Sequence, residues 1–236
     1  MTAPATAGTT ARGSESVSLI PSGRKALPPP LAPLFDQGYA VVDCHGSLER
    51  YRSLSSELGR LMLVTEVRLR PDGHTYLTKA GPVPAHTDHP AVGFIGWLCI
   101  EQDGNNGACQ LVDTHVLLDR LGPEAAHLAD VLLGCPSLDS TVETGEWPVL
   151  SDDGGQARIY WSPWRRNRRC LTPASEVAFQ KFRAAILGRE RDGPISVRLR
   201  QGEALFIDNR RMLHARQAID EGSRRFLLRH WIERPR

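Results

Sequence analysis

The chain has 236 residues, 41% of them hydrophobic, enough for one sizeable core and consistent with a single globular domain. Its 29 Lys and Arg nearly balance its 27 Asp and Glu, so there is no global electrostatic case for a nucleic-acid or membrane partner. No apolar run approaches the ~20 residues of a membrane-spanning helix. The five cysteines are scattered without a C-x-x-C pair, which argues against a disulfide framework or thiolate zinc site and for reduced thiols.

Residues 1–18 are Ala, Thr, Gly and Ser with one arginine and no apolar segment of signal-peptide type. They are read as a disordered leader, and a cytoplasmic location is expected. The remainder, 19–236, is expected to form one domain, entered through the stiff stretch Lys-Ala-Leu-Pro-Pro-Pro at 25–30 and ordered from near Leu31. A β-branched and aromatic run predicts a strand over 39–44. A helix is predicted over 47–61, with Ser47 as N-cap and Leu48, Tyr51, Leu54, Leu58 and Leu61 recurring at three- and four-residue spacing.

Strands are expected at 64–70, briefly at 75–77, and at 93–100, the last fully buried. Gly-Asn-Asn-Gly at 104–107 marks a tight turn into a strand at 108–112. A helical pair follows over 114–133, broken at Gly122-Pro123. Further strands are expected at 157–161, 195–199, 204–208 and 226–232, with one helix at 174–187. Many short strands with a few outer helices predict a mainly β fold with flanking helices (α+β). A double-stranded β-helix, the cupin-like jelly roll, is the architecture chosen.

The chemistry-bearing stretch is Pro84-Ala-His86-Thr-Asp88-His89-Pro90. Residues two apart at a strand end share a face, so His86 and Asp88 can present an imidazole and a carboxylate together. A third ligand would complete a 2-His-1-carboxylate triad, which leaves coordination positions open on iron. The second stretch, Phe206-Ile-Asp-Asn-Arg-Arg-Met-Leu-His214-Ala-Arg216, carries a buried strand into a polar turn and presents that histidine. Arg225 and Arg229 follow, four apart and so on one strand face. An inward guanidinium suits a bidentate carboxylate partner.

These paired motifs, HTD and FIDNRRMLHAR with the downstream arginines, resemble the taurine dioxygenase and clavaminate synthase superfamily of Fe(II)/2-oxoglutarate oxygenases. The resemblance covers roughly residues 75–234 and is tight at the two motifs. It implies His86, Asp88 and His214 as iron ligands, with 2-oxoglutarate and O₂ as cosubstrates. It implies Arg225 as partner of the 2-oxoglutarate C5-carboxylate, and Arg229 as a second arginine near the cosubstrate or an anionic substrate group. Many relatives have a threonine contact to 2-oxoglutarate where this sequence reads Gly107-Ala-Cys-Gln110, so either Gln110 substitutes or the contact is lost. The spacing between motifs is shorter than usual, so the insert that forms a substrate lid is reduced. Asp88 occupies the position that family halogenases leave as Ala or Gly, which argues for hydroxylation or a related oxidation. The resemblance and the compact size imply a small polar, amino-acid-like substrate hydroxylated at an unactivated carbon, in natural-product biosynthesis.

The same chemistry can end in desaturation, cyclisation or epoxidation. A metallohydrolase motif H-x-H-x-D-H would need a histidine where Pro84 stands, and a non-redox cupin-type binding barrel has no need of two inward arginines. His45, His74, His89, His115, His127 and His230 are read as surface or satisfied core histidines, and Trp97 and Phe94 as core. Asp208 and Asn209 are read as structural, and Arg216 as either a cosubstrate contact or a turn stabiliser. Trp161-Ser-Pro-Trp164 with Arg165, Arg166, Arg168 and Arg169 is either an active-site mouth or a solvated basic loop.

Overall fold

The computed structural model describes residues 27–234, apart from 71, 74, 103–105, 139–142 and 165–166. The expected leader, His74, residues 104–105 of the 104–107 turn, Arg165 and Arg166 therefore lie outside the described residues. After a 3₁₀ turn at Pro29–Leu31 come α1 (Pro33–Gln37), β1 (Tyr39–Asp43) and α2 (Leu48–Leu58). Next are β2 (Arg60–Arg68), β3 (Val83–His86), β4 (Phe94–Glu101) and β5 (Cys109–Asp113). The middle of the chain holds α3 (Thr114–Leu121), a 3₁₀ segment (Gly122–Asp130), β6 (Val131–Pro136), β7 (Glu143–Pro148), β8 (Leu150–Asp152), β9 (Ala157–Ile159) and β10 (Arg168–Cys170). The last part is α4 (Pro173–Asp192), β11 (Ile195–Val197), β12 (Glu203–Asp208), β13 (Met212–Arg216) and β14 (Phe226–Glu233).

A five-stranded sheet, β1-β12-β4-β14-β2, and a four-stranded sheet, β11-β5-β13-β3, form the jelly roll, with every pairing antiparallel. Period-2 alternation divides β4 between two cores. Ile95, Trp97 and Cys99 meet Leu111, Met212 and Leu227 in the core between the sheets. Phe94 and Leu98 face the opposite way and pack with Tyr51, Leu54 and Leu58 of α2. Trp97 and Phe94 are thus both core, on opposite faces. Gly96 allows this layer to close, because a Cβ there would lie 2.9 Å from both Phe206 and the Tyr51 hydroxyl. A third core packs Phe179, Phe182 and Ile186 of α4 against Val112 and Leu213 behind the smaller sheet.

Several boundaries differ from expectation for local reasons. Ser47 does cap α2, accepting from Arg50 N, but the helix stops before Gly59, and Leu61 is an exposed residue of β2. Residues 75–77 form a turn instead of a strand, closed by Thr78 N and Oγ1 donating to Thr75 O. The helical region after Thr114 ends at Asp130, and Val131–Pro136 pairs with β7 and β10 as a strand. The last helix runs five residues beyond its expected end, to Asp192. Among the described residues, no helix is long and apolar enough to cross a membrane.

His230, read as a satisfied core histidine, faces α2. It is fully buried, stacks on Tyr51 at 4.2 Å between centroids, and its Nδ1 lies 2.8 Å from Ser55 Oγ. Ser55 gives its own hydrogen to Tyr51 O, so it receives one from His230. Burial, with Arg52 adding, holds the imidazole down at about 4 against an ordinary 6.5. Between these values the unfolded chain binds a proton that the folded chain does not, so stability must fall as pH drops from 6.5 toward 4. The contribution reaches up to ~3 kcal/mol. In urea titrations across this range, His230→Phe should show a shallower loss of stability than wild type, by about one proton. Parallel pH profiles for the two proteins would show that His230 is not the group responsible.

Candidate metal centre and cavity

His86 ends β3 and His214 lies in the middle of β13, and the two are register partners across the ladder, with ring centroids 4.1 Å apart. Asp88 lies beyond the end of β3, in the loop that leads to β4. Three hydrogen bonds fold this loop back. Thr87 N donates to Trp161 O at 2.8 Å, and Trp161 N returns a bond to Thr87 Oγ1 at 2.9 Å. Asp88 N donates to Asn209 Oδ1 at 2.8 Å. Asn209, 1% exposed, also donates to Val92 O at 2.9 Å, so one buried amide from the β12–β13 turn holds both ends of the loop. Asp208 accepts from Arg210 N at 3.0 Å, the Asx-type bond expected of this turn.

The ligand atoms of His86, Asp88 and His214 all lie within 4.8 Å of one another, and all three residues are buried. Asp88 Oδ1 is 3.7 Å from His86 Nε2 and 3.8 Å from His214 Nε2. The tautomer of His86 follows from its neighbour: Nδ1 lies 2.9 Å from Pro84 O, which can only accept, so Nδ1 carries the hydrogen. Nε2 is buried and has no hydrogen-bond partner among the described residues. Burial, reinforced by His86, pushes His214 well below the ordinary imidazole range. Burial alone would raise Asp88, but Arg229 and the two histidines outweigh it and hold the carboxyl well below its usual range. A carboxylate oxygen facing two imidazole nitrogens is a donor set suited to a divalent cation.

Asp88 Oδ2 is occupied from the other side. Trp231 Nε1 donates to it at 2.6 Å and Arg229 Nη1 at 3.1 Å. Arg229 therefore braces a ligand while also lining the cavity beside the triad. The cavity wall is mostly apolar, with Val67, Leu77, Val83, Trp97 and Leu227, and it carries three arginines, Arg216, Arg225 and Arg229. Arg225 directly precedes β14, is 4% exposed, and contacts Cys109 Sγ at 3.8 Å. No carboxylate pairs with it among the described residues. Gly107 makes room: at φ +78 it is in the left-handed region, and a Cβ would lie 2.4 Å from Ile219 and 3.1 Å from Arg225. Arg216 donates to Lys79 O and Gly81 O, both at 2.6 Å, so it does tie a turn. Burial and Arg225 together lower it to about 10.

Gln110 is not brought to this cavity. Alternation along β5 sends Cys109 inward and Gln110 to the other face, where it pairs in register with Ser196 and Ala215. The expected contact moves to Cys109 or is absent. The tryptophan loop divides between its two readings. Trp161 is core against Phe179 and Phe182, whereas Trp164 stacks on Tyr76 at 4.8 Å and stands edge-on to His86 at 4.6 Å. Arg168 and Arg169 pair with Glu176 and Glu146. His89 receives the Ala91 amide and faces Pro136 O, a satisfied histidine. Trp231, Cys109 and Tyr76 were not anticipated. For Trp231 the signal was present, since period-2 spacing puts 225, 227, 229 and 231 on one face.

Residues 43–231 match the family described as Taurine catabolism dioxygenase TauD, TfdA family. The chain belongs to that family. Among curated proteins, gamma-butyrobetaine dioxygenase of Homo sapiens and of Pongo abelii are each 24% identical to it over 177 residues, covering 67% of this chain. The chain spans 45% of the length of these relatives. Among solved structures, asparagine oxygenase in complex with Fe(II), 2S,3S-3-hydroxyasparagine and succinate superposes with a TM-score of 0.66 at 18% identity, over 86% of this chain and 77% of that one. The oxygenase OrfP in complex with Fe and alpha-ketoglutaric acid gives 0.65 at 17%, over the same shares. These likenesses fix the TauD/TfdA fold.

Asn209→Ala should leave the buried Asp88 amide without an acceptor, at a cost of about 1–3 kcal/mol. Thermal unfolding should show that loss, and anaerobic Co(II) titration should show weaker binding. A variant as stable and as metal-binding as wild type would mean the loop holds itself.

Proposed function

We propose that the protein is a non-haem Fe(II)/2-oxoglutarate-dependent dioxygenase that hydroxylates an unactivated carbon of a small, polar, amino-acid-like substrate. The observation that carries this reading is the convergence of His86, Asp88 and His214 beside a cavity holding Arg225, a buried guanidinium without a carboxylate partner among the described residues. His86 Nε2, His214 Nε2 and Asp88 Oδ1 would hold the iron. When bound, iron supplies the activation of O₂ coupled to conversion of 2-oxoglutarate to succinate and CO₂.

The chain's own work is placement and exclusion. Arg225 offers a fork of donors for the distal carboxylate of 2-oxoglutarate, and its burial leaves that carboxylate as a counter-charge the cavity otherwise lacks. Val67, Trp97 and Leu227 keep water from the space between Arg225 and the triad. An amino-acid-like substrate is supported by the relatives. Asparagine oxygenase is solved with hydroxyasparagine, OrfP with (3S)-hydroxy-L-Arg, and the curated relatives are named for gamma-butyrobetaine. Natural-product chemistry fits the same substrate class.

The deciding titration is anaerobic, with Fe(II) and 2-oxoglutarate, following the visible charge-transfer band of their complex. Wild type should give the band, and His214→Ala should abolish it. Arg225→Ala should need roughly 10- to 100-fold more 2-oxoglutarate, as expected for loss of a charge-assisted hydrogen bond. Iron-loaded, folded protein without the band would leave a cupin-type metal-binding barrel. Incubation in air with a panel of amino acids and derivatives should then yield succinate together with a product carrying one added oxygen atom. A product lacking two hydrogens would place the outcome in desaturation or cyclisation.

A further inference from the structure

Alternation along the last strand puts Arg225, Leu227, Arg229 and Trp231 on the face that looks between the sheets, while His230 looks outward to α2. The two oxygens of Asp88 are then treated differently. Oδ2 receives the Trp231 indole N–H at 2.6 Å and an Arg229 N–H at 3.1 Å, whereas Oδ1 faces His86 and His214 at 3.7 and 3.8 Å. We infer that Trp231 is a positioning residue for the metal-binding carboxylate: with Arg229 it occupies Oδ2, so that Asp88 offers the ion Oδ1 alone. This rests on the reading of His86, Asp88 and His214 as metal ligands.

The chemistry of the two donors makes the division firm. An indole N–H is a single donor that cannot accept, so it fixes one oxygen and one direction. Arg229 adds a second donor to the same oxygen, and its guanidinium lies 4.8 Å over the Trp231 ring, which holds it in place. A carboxylate free to rotate can bind an ion through both oxygens and so fill one more coordination position. Holding Oδ2 prevents that and leaves the position for a cosubstrate. The same contacts commit Arg229 to Asp88, so Arg225 is left as the arginine for the cosubstrate's carboxylate.

Trp231→Phe keeps an aromatic ring, smaller than the indole, and removes the N–H donor. Anaerobic Co(II) titrations, read by visible absorption, should give a dissociation constant 10- to 100-fold weaker than wild type, the range typical of lost partners behind metal ligands. The Co(II) band intensity should also change, because the carboxylate gains freedom to chelate. A tryptophan that only fills space would lower the melting temperature without moving either metal readout. A folded Trp231→Phe protein within twofold of wild-type Co(II) affinity, with an unchanged band, therefore overturns the inference. Should the variant fail to fold, ¹⁵N-labelled wild type with Zn(II) decides: the Trp231 indole resonance must shift on metal addition, and one that stays put overturns the inference. Wild type that binds no Co(II) would instead bring down the metal reading itself, together with this role for Trp231.

Discussion

One buried charge organises this protein. Asp88 is 5% exposed, and an ionised carboxylate at that depth is costly unless its surroundings replace the water it has lost. They do so asymmetrically. A cation and an indole donor take one oxygen, and a backbone anchor from Asn209 fixes the main chain. The other oxygen is left facing the Nε2 atoms of two imidazoles. The satisfied half of the carboxylate explains why the loop can be buried at all. The unsatisfied half explains what the loop is for.

The jelly roll contributes what a single loop cannot, which is registration between distant segments. His86 and His214 are 128 residues apart in sequence, yet become cross-strand partners because β3 and β13 pair at the edge of the smaller sheet. Trp231 and Arg229 reach Asp88 from the larger sheet. The centre is therefore clamped between two sheets whose separate cores, one under α2 and one under α4, are completed without any residue of the triad. Packing stabilises the frame and leaves the polar cluster to be set by function.

Much of this could be read from the residues in order. The β-rich pattern, the buried run at 93–100, the cap at Ser47 and the two ligand stretches all rest on local signals of period and residue type. What escaped was of two kinds. Short strands such as β7 and β10 have weak alternation and exist because a neighbour offers a ladder, information that lies outside the segment. Inside the site, Gln110 was chosen by comparison with a motif, but the pleat of β5 decides which of two adjacent residues faces inward, and it turned Cys109 to the cavity. Arg229 was correctly seen as inward-facing. Its engagement by Asp88 depends on a loop fold that strand spacing cannot supply.

Arg216 carries a consequence of another sort. Its guanidinium lines the cavity that holds Arg225, yet it grips Lys79 O and Gly81 O, which belong to the same short segment as Tyr76. One side chain thus ties the cavity wall to the segment that carries Tyr76. Inserting residues between Tyr76 and Gly81 would therefore reach the cavity wall through Arg216, although the insertion itself lies outside the sheets.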